Sequence, residues 1–211
     1  MISFKKNFLT TVIIENQILP NSWEVQINLV PNTDSKIIDI DTATDRINVW
    51  IDSILDNSML VGPNEMKMLS ELTSPFEIGV HPVPDQPYDR MVAMCLYTKF
   101  TSIIEKKLFI DSIWLESYQA DGLSHTYAAD VDSDLDILRQ ITEPGNEEYA
   151  EYWYRRDPVF FRVNSEGCKL YEQTWSELGM GFDIEQKIDN VVRLNQFKPR
   201  IVPGDKNDDN S

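Results

Sequence analysis

The chain has 211 residues, room for about one domain of ~100–200 residues with an appendage. Its 35 acidic and 19 basic side chains leave a net charge of −16, which excludes nucleic-acid binding as its main business, because phosphate contacts need Lys and Arg. Hydrophobic residues make up 42%, enough for a real core, while two cysteines and two histidines exclude a disulfide scaffold and a His-built metal cage.

The chain opens on a hairpin. Thr10–Glu15 is short and β-branched, and Trp23, Val25, Ile27 and Leu29 alternate with Glu24, Gln26 and Asn28, the period of a half-buried strand. Pro20-Asn21 supplies turn chemistry between them. Ile47, Trp50, Ile51, Ile54 and Leu55 then form one apolar helical stripe. Asp41, Thr42 and Asp45 suit its positive end, and Asp56-Asn57-Ser58 closes it.

Phe76–Val80 reads as a strand, and the Pro-rich stretch from His81 to Pro87 as an extended connector. A second helix is expected from Pro87, with Asp85 as a cap and Met91, Val92, Cys95, Leu96, Phe100, Ile103 and Ile104 on its apolar side. Leu108–Tyr118 and Leu123–Ala129 form a hairpin around Asp121-Gly122, a strong tight-turn signal. The first of these strands is apolar on both parities, which predicts a central strand covered on both faces. The order ββ-α-β-α-ββ, with hairpins in place of crossovers, predicts an α+β fold: an antiparallel sheet with two helices packed on one face.

Composition changes near residue 130, so the boundaries expected are a core domain over 1–130, a small mixed subdomain over 131–203 and a polar tail over 204–211. Residues 121–157 hold ten acidic and three basic side chains. Val159–Val163 and Cys168–Glu172 form a further hairpin, Thr174-Trp-Ser-Glu177 has capping-box spacing, and Val191–Phe197 is a last strand candidate before Pro199.

Few residues promise chemistry. Asp132, Asp134, Asp136 and Glu143 occupy positions 1, 3, 5 and 12 of a calcium loop, but Ile137 stands where that loop needs glycine and Pro144 follows it. The favoured reading is an acidic helix start over Leu135, Leu138 and Ile141, with no metal bound. His81 and His125 lack any accompanying nucleophile motif and read as structural or surface residues. No cofactor is expected. The best interaction candidates are Tyr149, Tyr152, Trp153, Tyr154, Arg155 and Arg156, the residue types of interface hot spots, which could equally cover the second face of the sheet. Arg193, Phe197, Lys198 and Arg200 join them on a basic, strand-like segment near the end of an acidic chain.

Pro87–Tyr118 and Thr174–Met180 (TWSELGM) resemble uncharacterised proteins of T4-like tailed phages, especially marine ones. The resemblance carries no functional residues, and implies a viral protein that works by contacts. Three functions follow: a non-catalytic interaction or assembly protein of a virion or of replication and transcription machinery, an acidic inhibitor or DNA mimic that binds a host protein, and a metal-dependent enzyme. The first is preferred, with protein partners, possibly itself, and neither nucleic acid nor membrane. With no apolar run near the ~18 residues of a span and no leader pattern at Met1–Lys6, host cytoplasm or virion is the expected location.

Overall fold

The computed structural model of the chain describes residues 1–15, 17–69, 77–119, 124–129, 147–164 and 167–182. β1 (Ile2–Ile14) and β2 (Gln17–Pro31) form a long antiparallel hairpin, with Ile14 opposite Gln17 and Ile2 opposite Leu29. The reversal falls at Glu15, whose φ is 50°, and not at Pro20-Asn21. Pro20 lies inside β2 opposite Thr11. Among the described residues the pairing of β2 with its second neighbour ends at Asn21.

α1 (Ile37–Trp50) starts a turn earlier than its acidic stretch suggests, because the Lys36 N–H donates to Asp39 Oδ2 at 3.0 Å. One π-helical turn, Ile51–Leu55, extends it, closed by the Asp56 N–H on Ile51 O at 2.8 Å. The expected stripe is the buried one: Ile47, Trp50, Ile51 and Leu55 are fully enclosed. β3 (Ser58–Val61), α2 (Pro63–Leu69) and β4 (Ile78–Pro82) follow. The four-residue β3 and short α2 have too little length to show a period, so the sequence pattern passes over them. α3 (Asp89–Ile103) begins two residues beyond Pro87 with Tyr88 as its N-cap; Asp85 accepts from the Gln86 N–H and does not cap. β5 (Leu108–Gln119) and β6 (Ser124–Ala129) pair as the expected hairpin, whose Asp121-Gly122 turn lies outside the described residues. α4 (Glu147–Tyr154), β7 (Val159–Asn164) and β8 (Gly167–Glu172) complete the elements.

The fold is α+β. One sheet runs in the order β6-β5-β2-β1-β3-β4-β7-β8. Most neighbours are antiparallel, but β3 lies parallel to both β1 and β4, so β3-α2-β4 is a crossover unit that the hairpin-only reading lacks. Val12 and Leu60 join the main core with α1, α3 and α4, while their chain neighbours Ile13 and Val61 join Leu69 and Met66 of α2. Adjacent residues of a strand face opposite ways, so α2 covers one end of the second face and α1 and α3 share the first. Over β1, β2 and β5 no described helix covers that second face, which shows Lys5, Leu9, Glu24, Gln26, Trp114 and Glu116 at least in part.

β5 is not covered on both faces: Phe109 is exposed and Trp114 half-buried. Its two apolar parities come from a β-bulge. Asn28 pairs with Ser112 and Leu29 with Ile110, leaving Asp111 as the extra residue. Leu108 and Ile110 are therefore buried before the bulge, and Ile113, Leu115 and Ser117 after it.

From Glu147 on, the described residues continue the same sheet and core. β7 pairs with β4, and Trp153 and Trp175 are enclosed in the main cluster with Trp50. The Thr174 N–H and Oγ–H donate to Glu177 Oε2 at 2.8 and 2.9 Å, and the Glu177 N–H returns to Thr174 Oγ1 at 3.2 Å. This capping box holds only a turn, stopped by Gly179 at a φ of 72°. The strand candidate Val191–Phe197, the tail and the Leu135–Ile141 stretch lie outside the described residues.

Candidate interaction surface and a buried ionisable cluster

The aromatic and basic residues of α4 divide between core and surface. Tyr152 and Trp153 are enclosed, which corrects their expected place on a contact surface. Trp153 Nε1 donates to Pro82 O at 2.7 Å, and its ring meets Trp50 edge-on at 5.9 Å. They fill the first face of the sheet beside α3. Helix α4 is two turns long, and its inward side must be apolar to hold it there.

Tyr149, Tyr154, Arg155 and Arg156 stay at least partly in solvent. Arg155 pairs with Glu172 at 2.9 Å, and Arg156 with Asp157 at 3.2 Å and Glu105 at 3.6 Å. They line a shallow cleft with Thr174 and Glu177, where carboxylates already balance the guanidinium charges. Arg193, Phe197, Lys198 and Arg200, and the acids Asp132, Asp134, Asp136 and Glu143, lie outside the described residues. His125 lies in β6 opposite Ser117.

Beneath α4 is a group of ionisable side chains that the sequence pattern did not single out together. His81 on β4 is fully buried, its Nε2 2.9 Å from Ile54 O and its Nδ1 2.6 Å from Tyr152 Oη. Desolvation by burial pushes the imidazole down to about 4; its bond to the Ile54 carbonyl opposes this and the charge of Lys99 adds to it. The neutral ring then carries its proton on Nε2, since a carbonyl can only accept. Lys99 is equally enclosed, over the rings of Trp50 and Tyr152, and donates to Arg155 O at 2.7 Å. Burial is the main cause that lowers its ammonium to about 7. It also holds the Cys95 thiol and the Tyr152 hydroxyl well above their ordinary values.

Arg46 is a further buried polar group. Its fork donates to Met180 O at 2.7 Å, Ile103 O at 3.0 Å and Glu105 Oε1 at 2.5 Å, with Phe182 against its plane at 3.9 Å. It ties α1, α3 and the C-terminal turn together. Enclosed at zero exposure, His81 and Lys99 meet no substrate in this conformation, so their chemistry is structural. A general base must reach the proton it takes.

What the surface offers is contact area. Leu9 (53% exposed), Ile18 (59%) and Tyr118 (43%) stand on or beside the open sheet face. Leu9 and Tyr118 line a groove with Thr11, Pro20, Ser22 and Asn57, and the described side chains that line it are uncharged, although the Asp56 carboxylate lies at its rim on the Leu9 N–H at 2.8 Å. At the other end of β2, Val30 and Phe109 face each other across the strands, both exposed. Next to the groove, Glu24 and Glu116 are directly opposed across β2 and β5, and like charges so placed repel. Lys5 at 2.6 Å relieves Glu24, and the Tyr118 hydroxyl, held above its ordinary value, bonds Glu116.

Among the described residues no helix is long and apolar enough to cross a membrane. No protein-family model matches the sequence, and neither does any curated protein.

Proposed function

We propose that the chain is a non-catalytic protein-interaction or assembly protein, serving a phage particle or its replication or transcription machinery in the host cytoplasm or the virion. The observation that carries the contact role is the groove towards the hairpin end whose described lining side chains are uncharged, with Leu9, Ile18 and Tyr118 exposed there or nearby in a chain of net charge −16. Exposed apolar area free of charge is where a partner can be met without desolvating carboxylates. The phage setting rests on the resemblance of Pro87–Tyr118 and Thr174–Met180. The basic segment with Arg193, Phe197, Lys198 and Arg200 offers a second contact, suited to lying along a partner's strand edge.

The test compares capture by three forms of the chain: wild type, the double variant Leu9→Asp/Ile18→Asp, and a deletion of 190–211. Partners held by the wild type and lost by the double variant, with unchanged folding, support the groove. Equal capture by all three forms sinks the reading.

The opposed Glu24 and Glu116 favour a second reading, an acidic inhibitor or DNA mimic that engages a basic protein surface. Charge-led binding weakens steeply as salt rises, whereas apolar contact in the groove does not. A salt series on any captured partner separates the two.

A further inference from the structure

We propose a binding site for a hard divalent cation of the calcium type at the C-terminal ends of β3 and β4, built from Glu65, Gln86 and the backbone carbonyl of Asp85. It is independent of the interaction role. β3 and β4 run parallel, and the Val83 N–H bonds Val61 O at 2.9 Å, so the segments leaving the two strands lie side by side. The crevice beyond the carboxyl ends of parallel strands is where such sheets place ligands.

Three oxygens belong to the residues that meet there. Glu65 is 4% exposed, and its Oε1 accepts from Gln86 Nε2 at 3.0 Å. Its Oε2 is shut off from solvent and has no donor, and the same is true of Gln86 Oε1. Two buried acceptors without donors, on side chains that touch, are costly unless something positive or donating joins them. Turning the Gln86 amide over gives no relief, since it would set an oxygen against Glu65 Oε1.

Gly62 shows where the third oxygen lies. A Cβ there would stand 2.9 Å from Glu65 Oε2 and 3.0 Å from Asp85 O, so both oxygens border the space that a side chain at this position would fill. A carboxylate, a side-chain amide oxygen and a backbone carbonyl are the donors that calcium takes, with water completing its ~6–8 ligands. The exposed carboxylate of Asp85, bonded to the Gln86 N–H at 2.7 Å, adds charge beside the site. So few protein ligands imply weak binding, on the order of 10⁻⁴–10⁻³ M.

The test is calorimetric titration of calcium into the full chain at fixed ionic strength, paired with melting. Fixed ionic strength matters because a net charge of −16 attracts any divalent ion. The expected result is one saturable site, with Tm raised about 3–5 °C at tenfold the Kd. Glu65→Gln and Gly62→Ala should each weaken binding at least ~10-fold, and Asp111→Asn, at an exposed carboxylate, should leave it unchanged. If Gly62→Ala fails to fold, Glu65→Gln decides alone. No saturable binding by the wild type, or equal binding by Glu65→Gln, overturns the proposal. In that outcome a single water is what the oxygens share, or the ion binds elsewhere.

Discussion

The hydroxyl of Tyr152 serves two acceptors with one proton. His81 Nδ1 lies 2.6 Å from it and Val159 O 2.9 Å, and the neutral imidazole has already given its own proton to Ile54 O. Three contacts thus share two protons. The pair joins the π-turn, β4, α4 and β7 through groups that must stay neutral to stay buried.

This sets a pH dependence with a definite sign. Lys99 has a folded pKa of about 7 against 10.5 for the free side chain. Between those values the unfolded chain binds the proton and the folded chain does not, so this contribution is full above 10.5 and lost as pH falls towards 7. His81 acts likewise from 6.5 down through about 4. In Lys99→Met the first slope should vanish. The stability of wild type relative to Lys99→Met, by denaturant titration from pH 7 to 10, should therefore rise with pH, by up to about 1.4 kcal/mol per unit.

Trp50 is fully enclosed against Phe100, Trp153 and His81, yet its Nε1 has no hydrogen-bond partner. Trp50→Ala should cost ~3–5 kcal/mol of unfolding free energy. Trp50→Phe should cost less than half of that, since it keeps most of the apolar area and removes the stranded donor. Equal losses would show that Nε1 carries no penalty.

The bulge at Asp111 yields a prediction about chain length. Removing Asp111 turns Leu108–Ile113 into a regular ladder in which Ile110 still opposes Leu29 and Ser112 still opposes Asn28. That deletion should cost no more than about 1–2 kcal/mol. One alanine inserted between Trp114 and Leu115 should prevent cooperative unfolding, because it turns one half of the strand onto the wrong face. Urea melts of both variants check this.

Arg46 should tolerate no simple replacement. Lysine keeps the charge but cannot reach Met180 O, Ile103 O and Glu105 together. Arg46→Lys should lose ~3 kcal/mol or more, and the fluorescence of Trp175, which lies 5.2 Å from the guanidinium, should shift as the C-terminal turn loosens.

Much of this architecture could be read from residue pattern. The alternation Trp23–Leu29, the stripe Ile47–Leu55 and the flanks of the β7–β8 hairpin are each long enough to display their period. The failures have physical causes. Glu15 makes the first reversal in a left-handed conformation that no glycine announces. In β5 a bulge imitated a strand buried on both faces. Tyr152 and Trp153 looked like contact residues because composition reports residue type and not direction; their burial follows only once α4 is seen against α3. The His81–Tyr152–Lys99 group joins positions 81, 99 and 152, a proximity that no local spacing encodes.

β1 lies in the middle of the sheet although it comes first among the described strands in chain order. From Thr10 to Ile13 its own flank is covered once β3 is complete at Val61, but the flank of β2 waits for β5, whose pairing runs from Leu108 to Gln119. Unpaired strand edges recruit other chains. During synthesis, then, a ribosome paused between these points would leave the Asn21–Pro31 flank of β2 without its second neighbour. A rare codon placed there should harm yield more than the same codon placed after Gln119.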